Sequence, residues 1–133
     1  MYYFAYASNL NRRQMAERCP DSLPALRATL PNYRLIFSGW SRQWRSPTAS
    51  IKPFQGDRVV GAAYEITELC LQRLDRYEGY PGTYDHLEVR VIDEEGQPFR
   101  AVTYIMRKQA EEARPSRDYL AVIQQGYRDW EIT

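Results

Sequence analysis

The sequence predicts an α+β chain built on a mixed or antiparallel sheet. Three observations carry that reading. Strand-like runs outnumber helix-like ones along the chain. The helical stretches are scattered between the strands, not alternating with them in regular units. No strand-to-helix step carries the glycine pattern of a dinucleotide fold. Periodicity alone does not separate a closed barrel from an open sheet.

The elements follow in order. Tyr2 to Tyr6 is an unbroken aromatic and apolar run that reads as a strand. Ala7-Ser8-Asn9 breaks it, and Asn11 to Cys19 has a helical pattern with Leu10, Met15 and Cys19 on one side. Asn9 or Asn11 can cap that helix. The turn exposes backbone N–H groups that lack intrahelical partners, a cradle for a carboxylate or carbonyl oxygen. Pro20-Asp21-Ser22 marks a loop, and Leu26–Leu30 and Tyr33–Phe37 read as two short extended pieces around Pro31-Asn32. Gly39 to Pro47 reads as a long polar loop holding two tryptophans and two arginines. Thr48–Pro53 and Arg58–Ile66 are strands about a Gly56-Asp57 turn.

Thr67 is placed to cap a helix running through Tyr77, with Leu69, Leu71 and Leu74 on its apolar face. Glu78 to Thr83 is a loop rich in glycine and proline. His86–Ile92 and Phe99–Met106 form a hairpin about Asp93-Glu94-Glu95-Gly96. Ser116 to Gly126 is a last helix, with Tyr119, Leu120 and Ile123 at helical spacing.

Composition bounds the function. At 133 residues the chain is one domain, spanning 1–133. An apolar fraction of 44% argues against disorder. Eighteen basic and 17 acidic residues leave a net charge of +1, which supports neither a dedicated nucleic-acid binder nor a membrane-surface binder. Trp40, Arg42, Trp44 and Arg45 interleave aromatics with arginines and could in principle stack bases; the near-neutral charge favours a pocket rim. No stretch approaches the roughly 20 apolar residues of a membrane span, and no signal peptide is visible. Two cysteines and one histidine do not make a metal site. The expected location is the cytoplasm, with Cys19 and Cys70 reduced, although a disulfide between them is compatible with the sequence.

One carboxylate stands out. Glu78 lies at the end of a helix, beside glycine and among aromatics. The helix dipole disfavours negative charge there, and desolvation by the rings pushes the carboxyl the same way. A glutamate so raised can accept and return a proton.

Several strings resemble one family. Tyr3-Phe4-Ala5-Tyr6-Ala7-Ser8-Asn9-Leu10 resembles the Tyr-Gly-Ser-Asn-Leu signature of the γ-glutamylcyclotransferase (AIG2-like) family, with Ala7 where the family usually has glycine. Leu74-Asp75-Arg76-Tyr77-Glu78-Gly79, followed by Tyr84, resembles that family's acid-bearing stretch. Met15-x-x-Arg18-Cys19-Pro20, Thr103-Tyr104-Ile105-Met106 and Pro115-Ser116-Arg117-Asp118-Tyr119 are similar to family segments in the same order. The resemblance implies a small β-barrel with flanking helices. It implies that Glu78 is the catalytic acid/base, and that Tyr6, Ala7, Ser8, Asn9, Leu10, Tyr84, Tyr104 and Tyr119 bind substrate. The implied reaction converts a γ-glutamyl amide to 5-oxoproline, without metal or cofactor, in a monomer or homodimer. The amine released is left open: an amino acid or dipeptide, a γ-glutamylamine such as a crosslinked lysine, or a carrier-bound group. A binding protein that kept the cavity and lost catalysis is the alternative, and Ala7 is its support.

Overall fold

The computed structural model describes residues 1–133. Five strands close into a barrel in the order β1-β3-β2-β4-β5. The strands are β1 (Tyr2–Ala5), β2 (Leu23–Ser41), β3 (Ser46–Glu65), β4 (Tyr84–Ile92) and β5 (Pro98–Met106). Neighbours run antiparallel except at the closure, where β1 pairs in parallel with β5 at Tyr3 and Val102. The sheet is therefore mixed, and closed as the family resemblance implies.

Packing explains the unbroken aromatic run of β1. Tyr3 and Ala5 enter one buried cluster, whereas Phe4 enters a second together with Tyr6, the residue that follows the strand. Both faces are covered, so the usual alternation of apolar and polar residues is absent.

The long hairpin of β2 and β3 corrects two expectations. The two extended pieces Leu26–Leu30 and Tyr33–Phe37 belong to one strand of 19 residues, and a register shift between Pro31 and Tyr33 is all that separates the two pieces. Asn32 adopts positive φ there (63°), and its side chain accepts the Gly56 N–H at 3.1 Å. The Gly56-Asp57 turn is thus an irregularity facing Asn32 within the 20-residue β3. The expected loop from Gly39 to Pro47 is mostly strand as well: β2 runs to Ser41 and β3 starts at Ser46. Serine-rich, tryptophan-bearing arms hide a hairpin from a composition-based reading.

Three helices cap the barrel: α1 (Arg12–Arg18), α2 (Glu68–Glu78) and α3 (Arg117–Asp129). Each has a side-chain cap. Asn11 accepts the Gln14 N–H, Thr67 the Cys70 N–H, and Ser116 the Tyr119 N–H. Gly79, at φ 65°, ends α2 in the left-handed conformation that glycine adopts at least cost. Helix α2 faces inward through Cys70 and Leu74, so Leu69, expected on that face, is 52% exposed. Cys19 and Cys70 form a disulfide joining the end of α1 to the first turn of α2, where the sequence reading expects reduced thiols. Their Cα atoms are 5.4 Å apart, within the usual disulfide range. No helix is long and apolar enough to cross a membrane.

Helix α3 locks the turn that follows β1. The Trp130 indole N–H donates to the Leu10 carbonyl at 2.9 Å, and Asp129 accepts the Arg12 N–H at 3.0 Å. Gly126 makes this approach possible: a Cβ there would sit 2.6 Å from the Asn11 nitrogen and from Leu10 Cβ. Gly126→Ala therefore forces α3 off the turn, and destabilisation of about 1–3 kcal/mol is expected from overpacking. Urea or thermal melts of the variant measure this; wild-type stability would show that the helix seat is looser than described.

Candidate active site

One cavity of about 260 Å³ opens at the end of the barrel where the chain leaves β1. Tyr6, Ala7, Ser8 and Asn9 form one wall, and Glu78 at the end of α2 faces them from another. Tyr84 from β4, Tyr104 from β5 and Tyr119 from α3 complete the enclosure. Eight of the nine residues singled out from sequence thus surround one space. Leu10 does not. Its side chain is fully buried in the core, and its N–H donates to the Ala7 carbonyl at 3.0 Å. The 3-10 turn over Ser8–Leu10 turns that side chain away from the cavity.

The turn is rigidly held. Asn9 is its anchor: its side-chain amide donates to the Tyr3 hydroxyl at 3.0 Å, and its Oδ1 accepts from Gln14 at 3.1 Å and from Arg18 at 3.2 Å. Gln14 also donates to Ser8 Oγ at 2.9 Å, and the Tyr64 hydroxyl donates to the Asn9 carbonyl at 2.8 Å. The turn's own hydrogen bonds start from the N–H groups of Leu10 and Asn11. The Ser8 and Asn9 N–H groups take no part in them. Of the two alternative caps, Asn11 is the one used, and Asn9 is the clamp. Ala7 has φ −139° and ψ −122°, so it does not take the positive φ that would call for glycine at this position.

Glu78 is half-buried, and its carboxyl forms no ion pair or hydrogen bond with the protein. Desolvation, opposed by the Arg18 charge and aided by that of Asp75, pushes its carboxyl up to about 7. The tyrosines behave differently. Burial raises Tyr3, Tyr6, Tyr84, Tyr104 and Tyr119 well above the ordinary phenol value, so they stay neutral near pH 7. Glu78 is the group on the wall poised to exchange a proton there.

Not every tyrosine can donate to a ligand. The Tyr6 hydroxyl donates to the Tyr104 carbonyl at 2.7 Å, Tyr84 to the Ala49 carbonyl at 2.6 Å, and Tyr104 to Asp75. Asp75 also meets the unique histidine, His86, at 2.6 Å. Tyr119 accepts the Ala49 N–H, and Tyr3 accepts from Asn9, so these two keep their hydroxyl protons free. Tyr84 and Tyr104, expected to bind substrate, spend their hydroxyl protons on the protein, and Tyr3, which the sequence reading left out of the site, joins the wall. That reading also gave Arg18 no role. A signal existed: Arg18 lies three residues after Met15, on the buried stripe of α1, where a charge is costly without a purpose.

The tip of the β2–β3 hairpin forms the mouth. Trp40, Ser41, Gln43 and Trp44 line it, opposite Arg76 and Tyr77. The Trp44 ring packs on Tyr119, with centroids 5.1 Å apart, whereas Trp40 is 68% exposed. This segment belongs to the cavity rim.

Comparison with known proteins points one way. A family model described as "Gamma-glutamyl cyclotransferase, AIG2-like" matches residues 3–127. The chain is 32% identical over 132 residues to human gamma-glutamylcyclotransferase, across 96% of this chain and 70% of that protein. It is 28% identical over 152 residues to the gamma-glutamyl cyclotransferase gliK of Aspergillus fumigatus, across 95% of this chain and 56% of the other. A solved structure described as "Gamma-glutamyl cyclotransferase" superposes with a TM-score of 0.92 at 30% identity, over 98% of this chain and 79% of that one.

The raised carboxyl has a consequence for stability. Glu78 moves from 4.5 to about 7 on folding, so the folded state disfavours its charge. That penalty is absent well below pH 4.5, grows as the pH rises toward 7, and is constant above it. Glu78→Gln removes it. The variant should match wild type in stability near pH 4 and exceed it at pH 8 by on the order of 2 kcal/mol, as measured by urea melts at the two pH values. Equal stability at both would mean the carboxyl is not desolvated.

Proposed function

The chain belongs to the gamma-glutamyl cyclotransferase, AIG2-like family, and from that premise we propose how its cavity carries out the reaction. The protein is an enzyme of this family, cyclising a γ-glutamyl amide to 5-oxoproline with release of an amine. Glu78 is its proton carrier. The juxtaposition of a carboxyl poised near neutrality with the free N–H groups of Ser8 and Asn9, on facing walls of one cavity, carries this reading.

The substrate bends so that its α-amine reaches its own γ-carbonyl carbon. Holding that geometry is the first contribution, worth about 7–11 kcal/mol in well-aligned intramolecular reactions. The amine attacks only after losing a proton. Glu78 accepts it, because a carboxyl at about 7 is substantially ionised at neutral pH and still basic enough to take a proton. A new C–N bond forms, and negative charge develops on the γ-carbonyl oxygen. The Ser8 and Asn9 N–H groups meet that charge, with their positions already fixed by the Asn9 clamp. The tetrahedral species collapses, the bond to the departing nitrogen breaks, Glu78 returns the first proton to that nitrogen, and the second proton shed by the attacking nitrogen passes to the released amine, which leaves as an ammonium. The Tyr119 and Tyr3 hydroxyls are available to orient substrate oxygens. Tyr6, Tyr84 and Tyr104 shape the walls.

The mouth bears on which amine leaves. Glu78 is the one acid on the cavity wall, whereas Arg76 lines the same cavity as a cation. A departing amine that carries a carboxylate suits this mouth better than a second cation does. An amino acid or short peptide is therefore the favoured partner. Against the non-catalytic alternative stands Glu78, present on the wall of the cavity.

Glu78→Gln should keep affinity for 5-oxoproline while lowering turnover of γ-glutamyl dipeptides at least about 100-fold, the usual size of a lost acid–base contribution. Wild-type kcat/KM should climb as the pH rises to about 7, as Glu78 loses its proton. Chromatographic measurement of released 5-oxoproline tests both, and undiminished release by the variant would exclude Glu78 as the proton carrier.

A further inference from the structure

Arg18 is a guanidinium set in the cavity wall with only 7% of the residue exposed. Burying that charge is expensive unless an anion answers it. No carboxylate of the protein forms an ion pair with it, although Glu78 is near enough to feel its charge. The ion pairs formed by Arg13, Arg27, Arg34, Lys52, Arg73, His86 and Arg100 do not include Arg18. A guanidinium carries five N–H donors, and Arg18 uses one of them, to Asn9 Oδ1 at 3.2 Å. The Tyr77 ring lies 4.5 Å from the guanidinium carbon and supports it from one face. No side-chain nitrogen of the protein is both fully buried and without a partner, so the unused donors of Arg18 reach open space, and the open space beside them is the cavity.

We propose that Arg18 is the carboxylate-binding residue of the site, taking the α-carboxylate of the γ-glutamyl group in a two-pronged ion pair. This rests on the reading of the cavity as a γ-glutamyl site and names the group that orients the substrate within it. The planar fork of a guanidinium matches a carboxylate. The α-carbon of the substrate bears both the carboxylate and the attacking amine, so fixing one fixes the other. Asn9 joins the two halves of the site: its side chain holds Arg18, and its backbone N–H, like that of Ser8, is left out of the turn's own hydrogen bonds. The distance between carboxylate site and carbonyl site is thereby built into one clamped residue. Arg18 and Glu78 line the same cavity, so a substrate held by its carboxylate brings its amine into the space that the proton carrier borders.

The test uses two lactams, 5-oxoproline and pyrrolidinone, the same ring without the carboxylate. Binding of each to wild type, Arg18→Gln and Arg18→Lys is measured by isothermal titration calorimetry. Wild type should prefer 5-oxoproline by at least about tenfold, the scale of a charge-assisted hydrogen-bonded pair. In Arg18→Gln the preference should vanish while pyrrolidinone affinity stays put. Arg18→Lys, which keeps the charge and loses the fork, should bind 5-oxoproline several-fold less tightly than wild type; it also carries the test if the glutamine variant does not fold. Wild-type discrimination retained in either variant overturns the assignment of Arg18 alone. Failure of wild type to bind either lactam overturns the γ-glutamyl reading together with it.

Discussion

Leaving a carboxyl group without a partner inside a cavity costs free energy, and the placement of Glu78 shows how this chain arranges to bear it. The group is neither ion-paired nor hydrogen-bonded, and desolvation outweighs the opposing pull of Arg18. The outcome is an acid that sits near its midpoint at neutral pH. Had Arg18 closed onto it, the carboxyl would be a permanent anion, unable to return a proton readily. Keeping the two apart is what makes both useful. Asn9 and Tyr77 hold the guanidinium, and Glu78 stays unengaged at the end of α2.

The scaffold serves that separation. Residues from every part of the chain converge on the short turn after β1. Tyr64 from β3, Gln14 and Arg18 from α1, and Trp130 beyond α3 all hydrogen-bond to it. A site that stabilises developing charge through backbone N–H groups needs those groups fixed before substrate arrives. The barrel supplies the fixed frame, because closure leaves β1 paired on both sides, to β3 and to β5. The disulfide between α1 and α2 ties the helix bearing Arg18 to the helix bearing Glu78.

Much of this was legible in the sequence, for identifiable reasons. Side-chain caps announce helices locally, so Thr67 and Ser116 marked the starts of α2 and α3 within a residue, whereas α3 runs three residues past its expected end, to Asp129. The Asp93–Gly96 turn fixed the β4–β5 hairpin in the same way. The resemblance around Ala7–Asn9 and Glu78 brought together positions some 70 residues apart that no periodicity could have joined. What escaped the sequence was orientation. A string such as Ser8-Asn9-Leu10 does not say which of its residues turns inward, and Leu10 turned to the core. A tyrosine's letter does not say where its proton points, and the protons of Tyr84 and Tyr104 point away from any ligand. The β2–β3 tip read as a loop because two tryptophans and two arginines break the alternation that marks strands. The pairing of Cys19 with Cys70 depends on how α1 and α2 meet, which is a tertiary fact.

The proposed reaction needs one spatial arrangement: a single lactam-sized ligand touches Glu78 on one side and the Ser8–Asn9 backbone on the other. A crystal structure of the protein soaked with 5-oxoproline addresses it most directly. The ring nitrogen should lie within hydrogen-bond distance of the Glu78 carboxyl, with the lactam oxygen received by the Ser8 and Asn9 N–H groups. A lactam bound elsewhere, or one seated in the cavity with Glu78 turned out to bulk solvent, would contradict the account.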